Sequence, residues 1–215
     1  NAISNCVLTN EIIAGSSPTS SIIGSNSGTV DNGNTISHCI INGGSFGIYW
    51  YGGSTTGSYE VGNVISNNII SNQTTRGVFI NYQDVISFIG NEVSTNSLST
   101  TYYGLSCSIN NRVEVIKNKI NCPAGGYGIQ LQSCNASAGN EGVVANNFIT
   151  VQGTGNAYGI NLNTVGYYNI YYNSINISST DPNNGRCLWI QNTGTNNLNI
   201  LNNCVGILRN LDVDF

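Results

Sequence analysis

The chain has no methionine, one histidine, two tryptophans, three prolines and only 7% charged residues. Each scarcity closes off a class of function. Six basic residues against ten acidic ones, for a net charge of -4, leave no basic patch to neutralise phosphates, which argues against a nucleic-acid partner. No apolar run approaches the roughly 18 residues that a membrane-spanning helix needs, so no membrane insertion is expected. No charged-then-apolar leader opens the chain, so any signal peptide lies outside it. Seven cysteines occur without a single C-x-x-C pair, which argues against a zinc ribbon or a redox dithiol.

What remains is 40% hydrophobic content in 215 residues, enough to bury a substantial core, with 26 glycines and many Asn, Ser and Thr supplying solubility. Nothing resembles a linker, so residues 1–215 read as a single domain. Eight copies of apolar-x-Asn-x-apolar run through it, at Ile3, Ile36, Ile65, Ile89, Ile116, Val144, Tyr171 and Leu201. Their central residues are Asn5, His38, Asn67, Asn91, Asn118, Asn146, Asn173 and Asn203, spaced 33, 29, 24, 27, 28, 27 and 30 positions apart. A fixed motif at uneven spacing describes repeats that keep their core and vary their loops. The first copy already starts at Asn1, so the chain reads as a segment of a longer one.

A second motif, aromatic-Gly-aliphatic-x-apolar, alternates with the first. It begins at Phe46, Arg76, Tyr103, Tyr127, Tyr158 and, degenerately, Arg186, with its glycine position 9 to 14 residues after a central Asn or His and with Ser20–Gly24 as a poor first copy. Both motifs are short, rich in β-branched and aromatic residues, and bounded by turn formers. Upstream of the central residue the pattern alternates with a period of two, as in Ile86 and Phe88 or Val113 and Val115, the mark of a strand with one buried face. Three short strands per repeat, each pairing with its equivalents above and below, predict an all-β parallel β-helix of about eight coils. Asn suits its turns because it tolerates left-handed backbone and its amide both donates and accepts, so the eight central residues are expected to stack as a ladder. His38, in that column, is read as structural.

These residues resemble the right-handed parallel β-helix repeats of the pectate-lyase-like superfamily, with N-x-I and G-I-x-L signatures over nearly the whole chain. In style, low-charge and Asn-rich, they are similar to large bacterial secreted or surface β-helix proteins. The resemblance implies the fold and a secreted or cell-surface location. Its enzymes carry clusters of acids with a basic residue, an R-x-K segment with a histidine, or a D-P-H motif. None of these strings is present: Asp181-Pro182 is followed by Asn183, and Arg112 and Lys117 lack the R-x-K spacing.

Several side chains are candidates for chemistry. Seven residues before the central position stand Asp31, Glu60, Asp84 and Asn111. Stacked carboxylates about 5 Å apart would hold Ca²⁺, serve a glycosidase as an acid and base pair, or splay into water as turn residues, and the last reading is preferred. No cofactor is otherwise expected. Tyr49, Tyr51, Phe79, Gln130, Gln132, Asn161, Asn163, Trp189 and Gln191 should lie on the outward side of the second motif, where rings beside amides suit a glycan. The partners expected are therefore a polysaccharide or other domains of the same surface protein. The position of Phe46, Arg76, Tyr103, Tyr127, Tyr158 and Arg186 shares parity with inward residues and is expected to be a buried aromatic column. Ile36, Ile65, Ile89, Ile116 and Val144 should form a stripe that a bend buries or that stays exposed as a sticky face. Glu92 and Lys119 should pair across adjacent repeats. Cys6 and Cys39 are read as small buried hydrophobes, with a disulfide as the alternative. The triplets at Asn72, Asn135 and Asn176 match glycosylation acceptors but arise by chance in such a composition. The function these features favour is a non-catalytic rigid spacer, adhesin or glycan-binding surface; the alternative is a polysaccharide lyase or hydrolase using Asp31, Glu60 and Asp84.

Overall fold

Residues 113–132 hold one complete coil and the local chemistry that the others repeat. In the strand Val113–Ile116, Val113 and Val115 are buried while Glu114 and Ile116 lie on the other side, the alternation that gives a strand one dry face. Lys117 then takes a left-handed backbone at φ 58° and Asn118 is buried, so the chain turns sharply into Lys119–Cys122, with Ile120 and Cys122 in the core. Gly125 and Gly126, at φ 121° and 97°, turn it again into Gly126–Gln132.

The computed structural model describes residues 1–11, 17–26, 30–54, 58–179, 185–191 and 197–208. Over them the three strands of each coil stack on their equivalents as parallel pairs, building a right-handed solenoid with three sheets around one core. The first and second sheets hold eight strands each and the third holds seven. The outermost coils are stacked on one side only, so the solenoid amounts to about six turns rather than the eight that the motif count suggests.

Asn68, Asn91, Asn118, Asn147, Asn173 and Asn203 form the ladder at the turn between the first and second sheets. The backbone N–H of Asn91 donates to Oδ1 of Asn118 at 2.8 Å, and that of Asn118 to Oδ1 of Asn147 at 3.0 Å. Each amide nitrogen from Asn68 to Asn173 donates both forward to the next Asn and back to a carbonyl one coil earlier, as Asn118 Nδ2 does to Asn147 Oδ1 and to Phe88 O, at 3.0 and 2.9 Å. This membership corrects the sequence alignment at four places. Asn5, His38, Asn67 and Asn146 are exposed residues at φ 56°, 54°, 54° and 57°, one position before the ladder. In those coils Cys6, Cys39, Asn68 and Asn147 take the inner place, whereas Gly90, Lys117, Tyr172 and Asn202 hold the left-handed place in the others. Asn is favoured at both adjacent positions, once for its backbone and once for its amide, so aligning on Asn merges two columns.

The same one-residue shift resolves the Ile36, Ile65, Ile89, Ile116 and Val144 stripe, which does not exist as one column. Ile65 pairs with Phe88, and Val115 with Val144, so Ile36, Ile65 and Val144 point inward while Ile89 and Ile116 lie on the outer side, half-buried. No bend is needed. Cys6 and Cys39 are free thiols; Cys39 Sγ faces Ser37 O at 3.2 Å and Cys6 Sγ faces Ser4 O at 3.2 Å, so both replace the ladder amide by a weak donor and no bridge joins them.

The ladder predicts a contrast between its inner and outer positions. Asn118→Leu strips the acceptor from Asn91 and the donor from Asn147 and Phe88, and should cost about 3 kcal/mol or more at roughly 1–3 kcal/mol per stranded group. His38→Asn, at a position where four other coils carry Asn, should change stability by less than about 0.5 kcal/mol. Equilibrium denaturation of the two variants checks both.

Candidate functional site

At the corner between the third and first sheets the two-residue device recurs. Tyr82, Ile109, Ser133 and Thr164 stand at φ 54°, 52°, 52° and 55°, each followed by a buried residue: Gln83, Asn110, Cys134 and Val165. Gln83 N donates to Asn110 Oδ1 at 2.8 Å, and Gln83 stacks in register on Glu60, while Asp84 stacks on Val61. The expected carboxylate column of Asp31, Glu60 and Asp84 therefore does not assemble, because the alignment again merged an inner column with its outer neighbour. Asn111 likewise gives way to Asn110.

Glu60 is the unexpected member. It is fully buried, and Oε2 accepts from Trp50 Nε1 at 2.7 Å, Gln83 Nε2 at 2.9 Å and Asn63 Nδ2 at 3.2 Å, with Oε1 left without a partner. A carboxylate held by three N–H donors inside the core is an acceptor hub and has no access to a substrate. Nothing in the motif pattern marked the Trp50–Glu60 pair; the signal available was an acid ten residues after an inward tryptophan whose N–H needs an acceptor. Asp31 lines an apolar groove beside Ile23, Ile36 and Trp50 at the first coil, and Asp84 lines a separate polar groove beside Asn111, Arg112 and Asn135. Arg112 is itself paired with Glu114. Among the described residues no three His, Cys, Asp or Glu side chains gather as ligands for a metal. Asp181, Pro182 and Asn183 lie outside the described residues.

The outer face of the third sheet carries the other candidates. Register places Tyr49, Phe79, Ser106, Gln130, Asn161 and Trp189 in one column, and Tyr51, Asn81, Ser108, Gln132, Asn163 and Gln191 in the next. Phe46, Arg76, Tyr103, Tyr127, Tyr158 and Arg186, read as a buried inward column, stand on this same outer face, where their neighbours bury Phe46 and Tyr158 and leave the others half-buried. The cause is the glycine that follows them. A Cβ on Gly104, Gly128 or Gly159 would come within 2.3, 2.4 or 2.3 Å of Ile120, Ile149 or Ile175 in the second sheet, so the glycine and the residue after it both face the core and the strict alternation breaks. The aromatic before it then turns outward.

Two columns therefore merge into one row of rings and guanidiniums. Tyr103 stacks on Tyr127 with centroids 4.6 Å apart and planes 4° apart; Tyr127 lies 4.8 Å from Tyr158, and Tyr158 lies 4.4 Å from Trp189. Tyr49 stacks on Phe79 at 5.2 Å, and Arg76 bridges the two groups, 4.9 Å from the Phe79 ring and 4.5 Å from that of Tyr103. Arg186 closes the row over Trp189 at 4.6 Å. Burial lowers the pKa of Arg76, though the guanidinium stays charged, and burial together with Tyr103 and Tyr158 pushes Tyr127 up to about 12. The row thus sets guanidiniums beside phenol rings, and neither arginine is ion-paired among the described residues.

The amides differ in their freedom. Gln130 accepts from Ser106, and donates to Asn161 at 3.5 Å; Asn161 is buried and donates on to Gln191 at 3.1 Å. Gln132 is exposed and Asn163 half-buried. Tyr49 stands opposite Gly24 in the preceding coil, so the residue directly across from its ring carries no side chain. Compared with known proteins, the chain matches no family model, no curated protein and no solved structure.

The Glu60 hub generates a prediction of its own. Glu60→Ala leaves three buried N–H donors without an acceptor and should cost about 3 kcal/mol or more, lowering Tm by roughly 6–12 °C for a chain of this size. Asp84→Asn, in an open groove, should leave Tm within about 2 °C of the parent. Thermal melts followed by circular dichroism compare them directly.

Proposed function

We propose that the chain is a non-catalytic β-helical segment of a secreted or cell-surface bacterial protein, a rigid spacer whose third sheet offers an extended binding surface to a glycan. The observation that carries this reading is the unbroken row from Tyr49 through Arg76, Tyr103, Tyr127 and Tyr158 to Trp189. Half-buried rings and guanidiniums on an outer face offer flat apolar and cationic surface to a ligand, and a row at one rung per coil suits a linear polymer better than a small molecule. Within the row most ring faces are turned on one another. Tyr49, above Gly24, is where a pyranose C–H face would stack, with Tyr51 beside it and the exposed Gln132 and half-buried Asn163 hydrogen-bonding to hydroxyls further along.

Membership of the pectate-lyase-like superfamily is part of the same proposal, supported by the three-sheet parallel solenoid and the N-x-I and G-I-x-L motifs. Fold alone does not carry that superfamily's chemistry. Against catalysis stand the burial of Glu60 under Trp50 and the separation of Asp31 from Asp84 into different grooves.

A broad array of neutral and acidic oligosaccharides should give weak, reproducible binding that Tyr49→Ala and Trp189→Ala each reduce at least fivefold while their melting curves stay close to the parent. Silence across the array at high protein concentration sinks the glycan reading. Ca²⁺ should not shift Tm, because a site at the expected column would add stability in proportion to RT ln(1 + [L]/Kd). A Ca²⁺-dependent rise lost in Asp84→Asn, or any glycan cleavage lost with it, would replace this reading by the catalytic one.

A further inference from the structure

The outer face of the second sheet is a separate surface with its own pattern. One register column runs Val7, Ile40, Ile69, Glu92, Lys119, Phe148, Ser174 and Cys204. Its apolar members are open to solvent, Val7 at 69%, Ile40 at 42%, Ile69 at 47% and Phe148 at 54%. The parallel outward column beside it is Thr9, Asn42, Ser71, Ser94, Asn121, Thr150, Asn176 and Gly206, small or amide residues that hold no charge and let another sheet approach closely. The only charges in either column are Glu92 and Lys119, which pair at 2.7 Å while remaining largely exposed. They occupy the fourth and fifth of eight rungs, the middle of the face.

That placement decides the occupant. We infer that this face pairs with the same face of a second copy of the chain, in a reversible homodimer whose two-fold axis runs parallel to the strands between the Glu92 and Lys119 rungs. Such an axis reverses the order of coils, so that Glu92 meets the partner's Lys119, Lys119 meets the partner's Glu92, and Ile69 meets the partner's Phe148. A shallow groove lined by Lys119, Ile120, Phe148, Thr150 and Gln152 lies where the partner's Ile69 would seat. The alternative two-fold, parallel to the solenoid axis, would set Glu92 against the partner's Glu92 and Lys119 against the partner's Lys119, a like-charge arrangement that electrostatics rejects. An isologous patch must be self-complementary about its own centre, and the central four rungs, Ile69, Glu92, Lys119 and Phe148, are. The face measures about 35 Å by 10 Å, from eight strands at about 4.8 Å and three residues at about 3.3 Å. It falls below the roughly 800 Å² per partner of a stable complex, so the dimer is a weak, concentration-dependent one. It leaves the ring row of the third sheet uncovered, and two such rows on one assembly would raise avidity for a polymer.

Sedimentation equilibrium over a wide concentration range should show a monomer–dimer equilibrium for the parent chain. Glu92→Lys and Lys119→Glu should each weaken it at least about tenfold, since each brings like charges together across the axis. An equimolar mixture of the two variants should recover a dimer, because every cross-interface contact then becomes Lys against Glu. Ile69→Lys should weaken association without moving the melting curve. A chain that stays monomeric at all concentrations overturns the inference, as does a dimer indifferent to Glu92→Lys, or a mixture that associates no better than its components.

Discussion

The whole molecule rests on one two-residue device: a left-handed residue followed by an inward amide whose oxygen accepts a backbone N–H from the neighbouring coil. At Lys117–Asn118 the first residue bends the chain and the second ties three coils together, through Asn91, Phe88 and Asn147. A buried amide missing any one of these partners would cost more than its net bond contributes, so the device acts chiefly on register. Slipping a coil by one residue would unseat the whole ladder and turn each strand's apolar residues outward.

Register, once held, makes columns. Because each strand sits directly on its equivalent, a residue type repeated once per coil becomes a continuous stripe along the solenoid, and the surface chemistry is set by stripes. The third sheet shows this in its ring and guanidinium row, the second in the apolar column centred on Glu92 and Lys119. A chain with 7% charge must place its few ions deliberately: two arginines lie over aromatic rings, and Glu60 is enclosed by three donors.

The interior is less uniform than the exterior. Cysteines stand in for ladder amides at Cys6, Cys39 and Cys134; burial pushes Cys134 up to about 11 and Cys122 to about 12, so those two thiols stay protonated at neutral pH. Thiols small enough for the ladder keep the backbone turn while giving up one strong hydrogen bond, which confines them to coils where the neighbouring amides can still find acceptors.

The sequence by itself determined the solenoid, its three strands per coil and the existence of an amide ladder, because period-two alternation and a motif at one copy per coil are local properties that survive without coordinates. The Glu92–Lys119 pair was legible for the same reason, each residue standing immediately after a ladder Asn in adjacent coils. The tertiary structure alone decided which of two adjacent Asn-tolerant positions faces inward, and so removed Asn5, His38, Asn67 and Asn146 from the ladder and separated Asp84 from Glu60. It also decided that Tyr103 and Tyr127 face solvent, since the glycine's contact with Ile120 and Ile149 in another sheet overrides the parity of their own strand. Strand patterns report neighbours along the chain, whereas side-chain direction at a bulge or a left-handed turn depends on what stands across the core, and that partner is some twenty residues away.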